Sequence, residues 1–180
     1  MAMFLIDTNV MLAASAISEL SNVATRAIPR EIELRESVYE WLVQFDQSDD
    51  HMVLDDTGLV LAEYERNMPY NWQEQEYGLQ VLQSKRDRMQ VHDVPIDTFE
   101  GNGEHVAVLE AEHEAIVTDR EDRKWVACAL EAMVLFNESP PIVYGAETDW
   151  HIARTQLEVL GICFLPLLPA AWYQDRVGRP

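Results

Sequence analysis

Four carboxylates stand where an α/β chain would do chemistry. Asp7 directly follows the apolar run Met3–Ile6 and precedes Thr8 and Asn9. Such a run is expected of a strand buried on both faces of a parallel sheet, which would put Asp7 at the strand's carboxyl end, where ligand sites of these sheets form. Taken alone, it also fits a turn aspartate capping the next helix. Asp122 stands 3, 4, 7, 8, 11 and 12 residues before Trp125, Val126, Ala129, Leu130, Met133 and Val134, so it heads the apolar face of a helix. The helix dipole favours a carboxylate there but does not require it to face inward; Asp119 and Glu121 fit that explanation better. Glu63 shares a face with Leu59 and Val60, and a surface pair with Arg66 is its competing role. Asp149 falls between a strand candidate and a helix, where an N-cap is the alternative and Glu147 its nearest rival.

Carboxylates converging on a dry cleft repel one another and move towards protonation unless a cation sits among them. Mg²⁺ and Mn²⁺ accept oxygen ligands and keep waters, so a few acids suffice without His or Cys. Such ions activate water and offset the charge of an in-line phosphodiester displacement.

The elements that would position these acids alternate. Strands are predicted over 3–6, 52–54, 91–96, 141–144 and 162–165, and helices over 10–20, 31–47, 58–68, 72–89, 103–113, 121–135 and 150–160. Asp56 or Thr57 is the expected cap of the helix at 58–68. The alternation predicts a three-layer α/β/α sandwich with a central, mainly parallel sheet. No repeat, low-complexity tract or Gly/Ser linker interrupts the chain, so a single domain over 1–180 is expected.

Four segments, MFLIDTNVML, LVLAEYERN, DRKWVACAL and PPIVYGAETDW, come in the order and structural context of the acidic motifs that characterise the PIN domain family. The chain resembles that family from Met3 to about Leu165. The resemblance implies a metal-dependent endoribonuclease using Mg²⁺ or Mn²⁺, of the kind found in bacterial toxin–antitoxin or defence modules. It assigns the acids to Asp7, Glu63, Asp122 and Asp149, with Asp7, Asp122 and Asp149 on the metal, and Thr8, Asn9 and Glu147 in support. The segment between Glu63 and Asp122 is long for the family. Ala146 stands where an acid is common, so Asp149 and Glu147 are alternatives for the fourth acid, with Glu104 a further candidate.

The 180 residues carry 13 Lys plus Arg against 32 Asp plus Glu, a net charge of -19. That charge opposes nonspecific binding to nucleic acid or an anionic membrane. An RNA-cutting enzyme of this composition needs local cations or a partner, here an antitoxin, a complex subunit or a second copy in a homo-oligomer. Arg120, Arg123, Lys124 and Arg154 flank the acids and are the candidate substrate-binding groups, with Lys85, Arg86 and Arg88 a second cluster. Solvated helix faces also explain such groups. Tyr70, Trp72 and Tyr77 could stack on bases, though helix packing accounts for them as readily.

Other readings are weaker. The five histidines have no paired-ligand spacing, and no phosphate-loop, dinucleotide-binding or serine-hydrolase string occurs. Cys128 and Cys163 lie in no metal-binding pattern and are expected to be buried thiols. No stretch resembles a secretory signal or a membrane span, so a cytoplasmic protein is expected. A strand-terminal Asp can also be a phosphotransferase nucleophile, but Asn9 stands where such enzymes carry a second Asp. A PIN-like fold that has lost activity and binds protein is the non-enzymatic alternative, favoured by the charge.

Overall fold

A computed structural model describes residues 1–101 and 103–177. In chain order it contains β1 (Met3–Ile6), α1 (Thr8–Ser15), α2 (Ile32–Gln47), β2 (His51–Asp55), α3 (Leu59–Asn67), α4 (Tyr77–Asp87) and β3 (Val91–Val94). There follow β4 (Thr98–Gly101), β5 (Glu104–Ala107), α5 (Ala111–Glu114), α6 (Arg123–Phe136), β6 (Ile142–Tyr144), α7 (Thr148–Val159), β7 (Phe164–Pro166) and α8 (Ala170–Val177).

Five strands form one sheet in the order β3-β2-β1-β6-β7, every neighbouring pair parallel. The path from β1 through β2 to β3 moves one way across the sheet, and the path from β3 to β6 and β7 moves back past β1. Right-handed crossovers in opposite directions put their helices on opposite faces, giving the α/β/α sandwich. On one side α1, α2 and α4 pack together, while α6 lies against β1, β2 and β3. Leu5, Ile6, Val53, Ile142 and Val143 are wholly enclosed, as continuous apolar strands of a covered sheet must be. Phe4 meets the rings of Trp41 and Phe45 edge-on at centroid distances of 5.8 and 5.7 Å, fixing α2 on β1.

Several expected elements differ. Residues 103–113 do not form one helix; Glu104–Ala107 pairs antiparallel with Thr98–Gly101, Gly103 takes φ +81° beside the turn, and only Ala111–Glu114 is helical. The helix expected over 72–89 starts at Tyr77, because side chains before it are engaged elsewhere. Asn71 donates to the Leu20 carbonyl, and Glu76 accepts from Ser21 Oγ and the Asn22 amide. The first helix begins at Thr8 and ends at Ser15. Asp55, rather than Asp56 or Thr57, caps α3: its carboxylate accepts from the amides of Leu59 at 2.7 Å and Val60 at 2.8 Å, and from the Thr57 hydroxyl. Cys163 is exposed, since it alternates with the inward-facing Ile162 and Phe164.

Close approach of α4 to α1 depends on Gly78. A Cβ there would lie 2.7 Å from the Met11 Cβ and 3.1 Å from its Cα. In an open helix Gly→Ala gains up to about 1 kcal/mol. Here the sign should reverse, with Gly78→Ala costing roughly 1–3 kcal/mol as α1 and α4 are pushed apart. Urea unfolding measures it, and a midpoint no lower than that of the unsubstituted chain would show that the contact is not tight.

Among the described residues, no helix is long and apolar enough to cross a membrane.

Candidate active site

The sheet changes direction between β1 and β6, and Asp7 sits at that point. Its amide donates to the Val143 carbonyl at 2.9 Å, the last rung joining the two strands before they diverge. Crevices at such switch points are the usual ligand sites of open parallel sheets. The side chain is tied from three directions. Oδ1 accepts from the Asn9 amide at 2.9 Å and from Asn9 Nδ2 at 2.5 Å, while Oδ2 accepts from Trp150 Nε1 at 2.6 Å. Asn9 in turn accepts from the Gly145 amide at 2.7 Å, joining the start of α1 to the end of β6. A Cβ on Gly145 would come within 3.0 Å of Asn9 Oδ1, so glycine keeps that bridge open.

The other acids approach this point from three elements. Asp122 occupies the N-cap position of α6 but makes no capping hydrogen bond, and is half-buried. Glu147 precedes α7, where its Oε1 accepts from the Asp149 amide at 3.2 Å. Glu63, on α3, accepts from Thr8 Oγ1 at 2.5 Å and forms an ion pair with Lys124.

Electrostatics ties these groups together. Burial pushes the Asp7 carboxyl up to about 7, against the hydrogen bonds from Asn9 and Trp150, and repulsion from Glu63 and Glu147 adds to the rise. Burial likewise raises Asp122 to about 8, with repulsion from Asp7, Asp119 and Glu147 adding to it and Lys124 opposing it. Glu147 is raised, by burial first, with the Asp149 amide pulling the other way. Among the described residues, no three His, Cys, Asp or Glu side chains are gathered closely enough to hold a metal ion as they stand. The donors are nevertheless all oxygen, and the acids carry the charge stress that a hard divalent cation relieves.

Of the two rivals, Glu147 occupies the interior position, in electrostatic range of both Asp7 and Asp122. Asp149 is exposed and shares with Asp119, Asp122 and Trp150 a cleft of about 370 Å³. Glu104 lies outside this group, on the hairpin, paired with Arg120.

The cations are less free than their sequence positions suggest. Lys124 is buried, its ammonium held by Glu63 and the Glu121 carbonyl, which makes it a structural counter-charge instead of an open phosphate contact. Arg120 pairs with Glu104, Arg123 with Glu114 and Arg154 with Glu158. Lys85 is enclosed at the opposite end of the sheet, donating to the carbonyls of Ser48 at 3.0 Å and Asp50 at 2.8 Å, and Arg88 pairs with Asp46. Two of the three cations of the second basic cluster are thus engaged within the chain, while Arg86 is exposed. Tyr77 packs on Tyr39, whereas Tyr70 and Trp72 are almost fully exposed instead of packing between helices.

Trp150 was not among the expected site residues. Its signal is its place in the first turn of the helix after β6, combined with an indole N–H that needs an acceptor once buried. Lys124 as the partner of Glu63 is visible only once α3 and α6 are side by side.

No family model, no curated protein and no solved structure matches this chain.

Proposed function

We propose that the chain is a Mg²⁺- or Mn²⁺-dependent endoribonuclease that hydrolyses RNA phosphodiester bonds, of the PIN kind its motifs resemble, acting as toxin or effector in a bacterial toxin–antitoxin or defence module. The observation that carries this reading is Asp7 at the β1/β6 switch point, with Asp122 and Glu147 in electrostatic range and all three raised by burial. Asp7 and Asp122, with Glu147 or Asp149, would hold the ion. When bound, the ion activates water and offsets charge in the displacement.

The chain's own residues have separable roles. Asn9 and Trp150 set the orientation of Asp7, and burial keeps its surroundings dry. Thr8 and Lys124 fix Glu63 at the edge of the group. Beside Glu63 lies a cleft of about 340 Å³ lined by Arg66, Arg120 and Lys124 together with Glu63, Glu104 and Glu121, so its formal charges cancel within a strongly acidic chain. The Arg66–Glu121 and Arg120–Glu104 pairs are largely exposed, and such pairs are weak enough for a phosphate to displace the carboxylate.

Incubation with a mixed RNA pool and Mg²⁺ or Mn²⁺ tests the assignment. The unsubstituted chain should cut, and Asp7→Asn should lower the rate by at least about 100-fold, since even groups that only orient a metal ligand are worth 10–100-fold. A second reading, an inactive PIN-like module that binds protein, is favoured by the net charge of -19 and by the acid partner on each of the four proposed substrate cations. Equal inactivity of both proteins in either metal would put that reading first.

A further inference from the structure

The second half of α6 carries a largely uncovered apolar surface among the described residues, with the Phe136 ring alone meeting an aromatic neighbour, His92, at a centroid distance of 5.0 Å. Its last four residues, Met133, Val134, Leu135 and Phe136, are 37%, 74%, 52% and 40% exposed. Consecutive exposed apolar residues on a helix oppose solubility unless something covers them. Leu130, Met133 and Val134 form one wall of a groove of about 410 Å³, faced by Ile96 beyond β3 and by Val108 and Leu109 beyond β5. None of these residues belongs to the group around Asp7.

The charged residues of the groove are acidic: Asp97, Glu110 and Glu131 line it without any Lys or Arg, and the buried His113 is the one other polar lining residue. No basic residue occupies the last turn of α6, so the negative end of that helix's dipole is uncompensated beside Met133–Phe136. A second copy would bring the same three carboxylates against themselves, and a nucleic acid or anionic bilayer would be repelled. The complementary occupant is apolar on one side and cationic at its edges.

We propose that this groove docks a basic amphipathic helical segment of another polypeptide. Ala127, Leu130 and Val134 share one face of α6 over seven residue steps, about 10 Å of helix, so the contact extends over about two turns of the incoming segment. Apolar side chains of the segment enter between α6 and the Val108–Leu109 wall, while its Lys or Arg side chains meet Glu131, Glu110 and Asp97.

The test uses the full chain and a labelled 14-residue Leu/Lys peptide with leucines at helical i, i+3, i+4, i+7 spacing, compared with a shuffled peptide of the same composition and with oligolysine, at physiological salt. The ordered peptide should bind at least about tenfold more tightly than either control, a difference that charge alone cannot produce. Val134→Glu should weaken it about tenfold, although an added negative charge would strengthen a purely electrostatic contact. Combined Glu110→Lys and Glu131→Lys should transfer the preference to a Leu/Glu peptide of the same pattern. Thermal melts establish that these surface variants fold. Equal binding of ordered and shuffled peptides, tighter binding by Val134→Glu, or self-association of the chain through this face would overturn the proposal.

Discussion

In chelator at pH 8, Asp122→Asn should melt above the unsubstituted chain, by roughly 4–8 °C if relief of the buried charge is worth about 2 kcal/mol in a chain of this size. Asp122 is raised from 3.8 to about 8 and Asp7 to about 7. A carboxyl raised in the folded state holds its proton more tightly there than in the unfolded chain. Its stabilising contribution is therefore complete below about pH 4 and lost as pH rises through the folded values near 7 and 8. At pH 8 Asp7 is largely ionised and Asp122 about half, so the metal-free fold carries most of this cost; at pH 4 it carries little. Asparagine removes that charge at a position whose carboxylate caps nothing, so little is lost in exchange. Asp7→Asn should gain less. If its amide oxygen stays with Asn9, its NH₂ group faces Trp150 Nε1, donor against donor, at a cost of roughly 1–3 kcal/mol.

The same melts with excess Mn²⁺ separate function from architecture. The unsubstituted chain should rise with metal because only the folded state assembles the acids, and both Asn variants should rise little. The advantage of Asp122→Asn should also vanish near pH 4. If both variants instead melt well below the unsubstituted chain in chelator at pH 8, the acids hold the fold together and the protein-binding module becomes the better reading.

Asp7 was legible because an apolar strand ending in a carboxylate is a local pattern, and alternation around it implied the parallel sheet. Asn9 was legible by adjacency. The hairpin Thr98–Ala107 was not, because the four-residue strands of β4 and β5 are too short for period-two alternation to outweigh a helical reading of 103–113. The cap lies at Asp55, one or two residues before the expected Asp56 or Thr57, because the turn is tightened by Gly58 at φ +81°, letting the strand's final carboxylate reach the first amides of α3. Glu147 and Asp149 are two residues apart, and no periodic argument separates them; burial on the Asp7 side distinguishes them. Cation partners were the least legible feature, since a sequence places Arg120 and Lys124 near an acid but not the acids from α3 and the hairpin that neutralise them.

Lys124→Met should be the most damaging single change to stability, lowering it by up to roughly 3–5 kcal/mol, because it strips the half-buried Glu63 of its counter-charge. The pair is well covered, with side-chain exposures of 6% for Lys124 and 16% for Glu63. Removing the ammonium also removes a donor to the Glu121 carbonyl and the cation that opposes protonation of Asp122. Glu63→Gln alone should cost less, since a neutral amide can still meet Thr8 and Lys124. The double variant, with both charges gone and similar volume retained, should recover most of the loss, as replacement of a whole buried pair usually does. Denaturant unfolding of the four proteins closes the cycle, and a coupling energy near zero would refute the buried pair. If Lys124→Met folds normally but binds RNA more weakly than the unsubstituted chain, with a shallower salt dependence, Lys124 is the phosphate contact that its place beside Asp122 suggests.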